Sequence, residues 1–128
     1  MGRGTLLVID DEPAITALVG RVAQSCGYDV VATSDPEEFK AICRATPPSV
    51  ICMDLAMPDV DGIELMRFLV QSAIDSPLLI MSGSEPRLLE SALRLGEAQG
   101  LHVVATVPKP LRVDAFRHLL NSLVPNAD

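Results

Sequence analysis

Apolar and polar positions alternate along this chain in two rhythms. Short apolar runs, Thr5-Leu6-Leu7-Val8-Ile9, Asp29 to Ala32, Val50 to Met53, Pro77 to Met81 and Val103 to Val107, predict strands. Between them, apolar residues recur at helical spacing. Ile15, Leu18, Val19, Val22 and Ala23 mark the first helix, which starts at Pro13 and is ended by Gly27. Phe39, Ile42 and Cys43 mark the second, with Ser34 or Asp35 as its cap, Pro36 at its first position and Pro47-Pro48 as its stop. Ile63, Met66, Leu69 and Val70 mark the third, and Leu88, Ala92 and Leu95 the fourth, from about Arg87 to Gln99. Phe116, Leu119, Leu120 and Leu123 form the stripe of the last.

Five β/α units with neither repeat nor internal linker predict an α/β domain. The expected architecture is a doubly wound five-stranded parallel sheet in the flavodoxin-like order 2-1-3-4-5, with five helices on both faces. In that order the sheet reverses between its first and third strands, and ligands bind outside the strand carboxyl ends at the reversal. The domain is expected to span residues 1–124, with 125–128 a tail or the start of a linker to an absent output domain.

Composition agrees with this reading. The chain has 128 residues, 48% hydrophobic but only 3% aromatic, so its core must be aliphatic. A formal charge of −7, with ten scattered basic residues, argues against direct nucleic-acid binding. No apolar run is long enough to span a membrane and the start lacks a signal-peptide pattern, so a cytoplasmic protein is expected. Cys26, Cys43 and Cys52 lie in or beside apolar segments and read as buried thiols.

The chemistry is concentrated at strand ends. Asp10 and Asp11 end the first apolar run, Asp54 the third, Ser82-Gly83-Ser84 the fourth and Lys109 the fifth. An acid at the end of a buried strand is costly without a partner. Two carboxylates about 4 Å apart repel by roughly 4 kcal/mol at an effective dielectric near 20. A divalent cation relieves that repulsion, and Mg²⁺ suits carboxylates that also receive phosphate oxygens. Asp54 is the candidate nucleophile. Asp11 or Glu12 could instead serve the first helix as an N-terminal acid, and Asp59 and Asp61 read as turn and capping residues.

In this order and spacing, Asp10-Asp11, Asp54 with Met57-Pro58 and Asp61-Gly62, Ser82 and Lys109-Pro110 resemble a response-regulator receiver domain of the CheY-like superfamily. The resemblance covers essentially the whole chain. It implies that Asp54 takes a phosphoryl group from a phosphohistidine of a sensor histidine kinase or a phosphotransfer protein. Mg²⁺ would be held by Asp11 and Asp54, by Asp10 largely through water, and by the Ala56 carbonyl. Ser82 and Lys109 would bind phosphoryl oxygens, and Lys109-Pro110 would be cis. The protein would be a switch rather than an enzyme, assisting its own phosphorylation and dephosphorylation, with a homodimer among its expected assemblies. Kinase docking is expected on the first helix around Ala14, Ile15 and Leu18.

The chain departs from the family pattern in three places. Thr106 stands where the family has an aromatic switch, Pro108 precedes the lysine, and the stretch from Ser82 to Lys109 is longer, implying a longer fourth helix. The segment from Ala92 to Leu101 resembles receivers attached to EAL-type phosphodiesterases. Two other functions are compatible with an acid cluster. A small Mg²⁺-dependent phosphatase of the haloacid-dehalogenase kind expects its second acid two residues beyond a first-strand nucleophile, which adjacent Asp10 and Asp11 fit poorly. A degenerate receiver acting as a constitutive interaction surface is opposed by the intact acids, Ser82 and Lys109.

Overall fold

The computed structural model describes residues 2–123; the expected tail at 125–128 lies outside them. The strands are β1 (Thr5–Ile9), β2 (Asp29–Thr33), β3 (Val50–Asp54), β4 (Leu78–Ser82) and β5 (Val103–Pro108). They alternate with α1 (Pro13–Ser25), α2 (Pro36–Ala45), α3 (Gly62–Gln71), α4 (Pro86–Gln99) and α5 (Val113–Ser122). All strand pairs are parallel and the order is β2-β1-β3-β4-β5, as the alternation predicts.

Period-2 alternation divides the core in two. Leu7, Ile9, Ile51, Met53 and Ile80 pack beneath α2, α3 and α4, against Phe39, Leu65, Met66 and Ala92. Leu6, Val8, Cys52, Leu79 and Met81 pack beneath α1 and α5, against Val19, Val22, Phe116 and Leu120. The helix stripes turn out narrower or rotated by a position. In α3, Leu65 and Phe68 are buried beside Met66 and Leu69, whereas Ile63 and Val70 are half-buried. Ile15, Leu18, Ile42, Leu88, Leu95, Leu119 and Leu123 likewise flank the core rather than fill it.

The element ends decide where the site lies. Asp35 caps α2, accepting from the Glu37 N–H at 2.9 Å; Asp61 caps α3, accepting from Ile63 at 2.9 Å and Glu64 at 3.3 Å. Gly62 packs so closely on Leu55 that a Cβ there would lie 3.2 Å from its backbone. Four strands run further than their apolar patterns suggest, β2 ending at Thr33 opposite Ile9. β3 carries Asp54 into the ladder opposite Met81, β4 extends to Ser82, and β5 extends to Pro108 opposite Ser82. Pro108 is tolerated because β5 is an edge strand, and the Ser82 carbonyl accepts instead from the Lys109 N–H at 2.9 Å. The Lys109-Pro110 bond is cis. At 14 residues, α4 is the longest helix, and Gly100 ends it at φ +75°.

Candidate functional site

The reversal of strand order sets β1 beside β3, so the acids ending those strands come together although they are more than forty residues apart. β5 lies two strands away from β3, yet the Lys109 side chain reaches across. Its ammonium is 2.9 Å from Asp10 Oδ2, 3.1 Å from Asp54 Oδ2 and 3.2 Å from Glu12 Oε1. Asp10 and Asp54 are only 1% and 2% exposed. Each uses its other oxygen to fix a backbone turn: Asp10 Oδ1 accepts from Glu12 N–H at 2.9 Å, and Asp54 Oδ1 accepts from Ala56 N–H at 3.1 Å. The acids are therefore held from two sides, by a backbone amide and by one shared ammonium.

Burial and charge pull against each other here. Burial pushes the Asp10 carboxyl above its ordinary pKa, and the negative charge of Asp54 adds to it, against the Glu12 amide and Lys109. Burial also works against the charge of Lys109, but its contacts with Asp10, Asp54 and Glu12 prevail and raise its pKa. Cys52, fully buried among these groups, has its thiol pushed up by burial and by Asp10.

The residues also fit a hard divalent cation. Asp10 Oδ2 is at ion-pair distance from Lys109 but lacks the alignment of a hydrogen bond; it is a buried oxygen with no hydrogen-bond partner among the described residues. One carboxylate oxygen each from Asp10, Asp11 and Glu12 lie within 4.8 Å of one another. All are the oxygen donors that Mg²⁺ prefers. Asp54 is not one of this group of three, and Lys109 links it to Asp10 and Glu12.

A cleft of about 200 Å³ opens on Asp54, lined by Glu12, Ala56, Gly83, Ser84, Glu85 and Lys109. Ser82 is half-buried at the end of β4 and its side chain makes no hydrogen bond among the described residues; its neighbours, rather than Ser82 itself, line the cleft. Thr106 is exposed and lines a separate cavity of about 110 Å³ with Val107, Pro108 and Phe116, between β5 and α5. The role of Glu12 is not apparent from the chain alone. It stands at the N-cap of α1 but makes no side-chain cap bond, and its carboxylate goes to Lys109 instead. Its place immediately after Asp10-Asp11 was the available signal.

Comparison with known proteins identifies the family. A family model described as the response regulator receiver domain matches residues 6–121. The transcriptional regulatory protein TrcR of Mycobacterium tuberculosis is 35% identical over 80 residues, covering 62% of this chain and 31% of that protein. FixJ of Bradyrhizobium diazoefficiens is 27% identical over 127 residues, covering 98% of this chain and 59% of FixJ. A response regulator of Colwellia psychrerythraea has a similar structure, with a TM-score of 0.82 at 28% identity, covering 96% of this chain and 98% of that one. The chain spans about a third of the length of several curated relatives it matches. These likenesses favour neither a phosphatase nor a degenerate receiver.

Proposed function

Because the chain belongs to the response regulator receiver domain family, we propose that Asp54 is its phosphoacceptor and that phosphorylation of Asp54 switches a protein-interaction surface. The observation that carries this reading is the placement of Asp54. It is buried at a strand end, 3.1 Å from a lysine ammonium, and it borders a cleft of about 200 Å³.

In the proposed reaction a carboxylate oxygen of Asp54 attacks phosphorus, and the bond from phosphorus to the imidazole nitrogen of a partner's phosphohistidine breaks. The released imidazole takes up a proton, and an acyl phosphate remains on Asp54. The Ala56 amide fixes the orientation of the carboxylate through Oδ1. Lys109 gives a fixed positive charge toward the incoming oxygens, and the otherwise unbonded Ser82 hydroxyl provides a further donor. Asp11, Asp54 and the Ala56 carbonyl, with Asp10 largely through water, would hold Mg²⁺, which when bound neutralises charge on the phosphoryl oxygens. The cleft is open, so water can reach the acyl phosphate and return the chain to its starting state.

The proposed donor is a histidine kinase or phosphotransfer protein, docking on α1 near exposed Ala14 and half-buried Ile15 and Leu18. Residues 1–124 would form the receiver, and 125–128 a tail or the start of a linker to an output domain. A second copy of the chain is a further proposed partner. Thr106 removes the aromatic rotamer from the readout.

The test is incubation with Mg²⁺ and phosphoramidate followed by intact-mass measurement. The expected result is a single phosphoryl adduct on the parent and none on Asp54→Asn. Absence of the adduct from the parent under every condition tried would sink the reading.

A further inference from the structure

Lys109 has three N–H donors and meets three carboxylate oxygens, one each from Asp10, Glu12 and Asp54. Of these it hydrogen-bonds Glu12 and Asp54, and a phosphoryl oxygen entering from the cleft competes with those two for the ammonium. Asp10 and Asp54 are poorly placed to leave, since both are buried and both are tied to backbone amides by their second oxygen. Glu12 differs on each count. Its side chain is 59% exposed, its carboxylate makes no hydrogen bond other than that to Lys109 among the described residues, and it lies on the rim of the cleft that opens on Asp54.

We propose that Glu12 is a competing anion for Lys109: it occupies a donor on the cleft rim that an incoming phosphoryl oxygen can use, swings into water when that oxygen arrives, and so sets the affinity of the cleft for phosphodonors. This inference rests on the reading of Asp54 as phosphoacceptor. Glu12 acts through Lys109 and touches no reacting atom, so it is a positioning residue. Its effect falls on binding of the donor, because the contact is already broken in the state from which transfer occurs. An exposed ion pair contributes between nothing and about 1 kcal/mol, which corresponds to an effect of up to roughly five-fold in affinity.

Adduct formation is followed by intact mass as a function of phosphoramidate concentration, at fixed Mg²⁺, and again as a function of Mg²⁺ at fixed donor. Glu12→Gln is expected to lower the half-saturating phosphoramidate concentration by about three- to five-fold, with an unchanged maximal rate and an unchanged Mg²⁺ requirement. Glu12→Asp keeps the charge but is too short by a methylene to reach the ammonium, and it should behave like Glu12→Gln. Glu38→Gln, an exposed acid on α2, should behave like the parent. In a Lys109→Ala background the Glu12→Gln effect should vanish.

An unchanged or raised half-saturation in Glu12→Gln, with the parent still forming its adduct, overturns the inference and leaves the phosphoacceptor reading intact. A raised Mg²⁺ requirement overturns it also, since Glu12 would then be a metal ligand. A Glu12→Asp variant that matches the parent overturns it in favour of a general charge effect, as does persistence of the Glu12→Gln effect without Lys109. If the parent itself forms no adduct, the phosphoacceptor reading fails and this inference falls with it.

Discussion

Within five residues β3 passes through two regions of opposite chemistry. Ile51 and Met53 are fully buried among aliphatic side chains, and burying each contributes on the order of 1.5–3 kcal/mol. Asp54 continues the same strand at 2% exposure, where burial of a carboxylate costs free energy unless partners offset it. The aliphatic region is held by non-directional contacts, so it tolerates exchange among residues of similar volume. The cleft is held by a few directed contacts that depend on one another, because Asp10 and Asp54 share one ammonium. Equal burial therefore stabilises in one region and stores a demand for counter-charge in the other. That demand is the physical basis of the proposed affinity of the cleft for cations and phosphoryl oxygens.

The sharpest way to separate the two regions is to damage each and ask whether a second deletion repairs it. Ile51→Ala leaves a cavity between β3 and the α2–α3 layer and should lower unfolding free energy by about 4 kcal/mol in urea titrations. No second truncation in that layer is expected to restore it. Lys109→Ala should cost about 3 kcal/mol, because it strands two buried carboxylates. Here a second deletion should help. Asp10→Asn in the Lys109→Ala background removes one stranded charge and should recover a substantial part of the loss. A double variant no more stable than Lys109→Ala would break the comparison.

The smallest effect concerns a group that belongs to the aliphatic region but titrates. Burial pushes the Cys43 thiol up to about 11. Its folded pKa thus lies above its unfolded one, so the folded state keeps the proton longer. The contribution is fully present below about pH 9 and is lost as pH rises toward 11, by about 2 kcal/mol. Stability measured against pH should fall more steeply over that window in the parent than in Cys43→Ala; identical slopes would count against burial as the cause.

Most of the fold was legible in the chain because burial imposes period. The Thr5–Ile9 and Val50–Met53 runs, the Asp35 and Asp61 caps and the final stripe through Phe116 and Leu120 all follow from local spacing. The ends of β3, β4 and β5 were less legible, because a charged or hydroxyl residue and a proline do not announce a strand. Asp54, Ser82 and Pro108 join the sheet because ladder neighbours hold them. The half-burial of Ile63 and Val70 likewise depends on how far α3 is rotated against the sheet, which its own periodicity does not specify.

The cleft divides along the same line. Residue type and strand-end position were enough to select Asp10, Asp11, Asp54 and Lys109, since a carboxylate or an ammonium after an apolar run has few inexpensive reasons to be there. Parallel crossovers then follow from the β/α alternation, and 2-1-3-4-5 is the commonest order for five such strands. The contacts themselves were decided only by the tertiary structure. Whether Lys109 spans from β5 to both acids, whether Glu12 caps α1 or turns to the ammonium, and which oxygen of Asp10 goes without a hydrogen bond depend on side-chain directions fixed by packing across β1, β3 and β5. Local sequence determines a residue's place along its own element; charge pairing between elements is set by the three-dimensional distances that their packing creates.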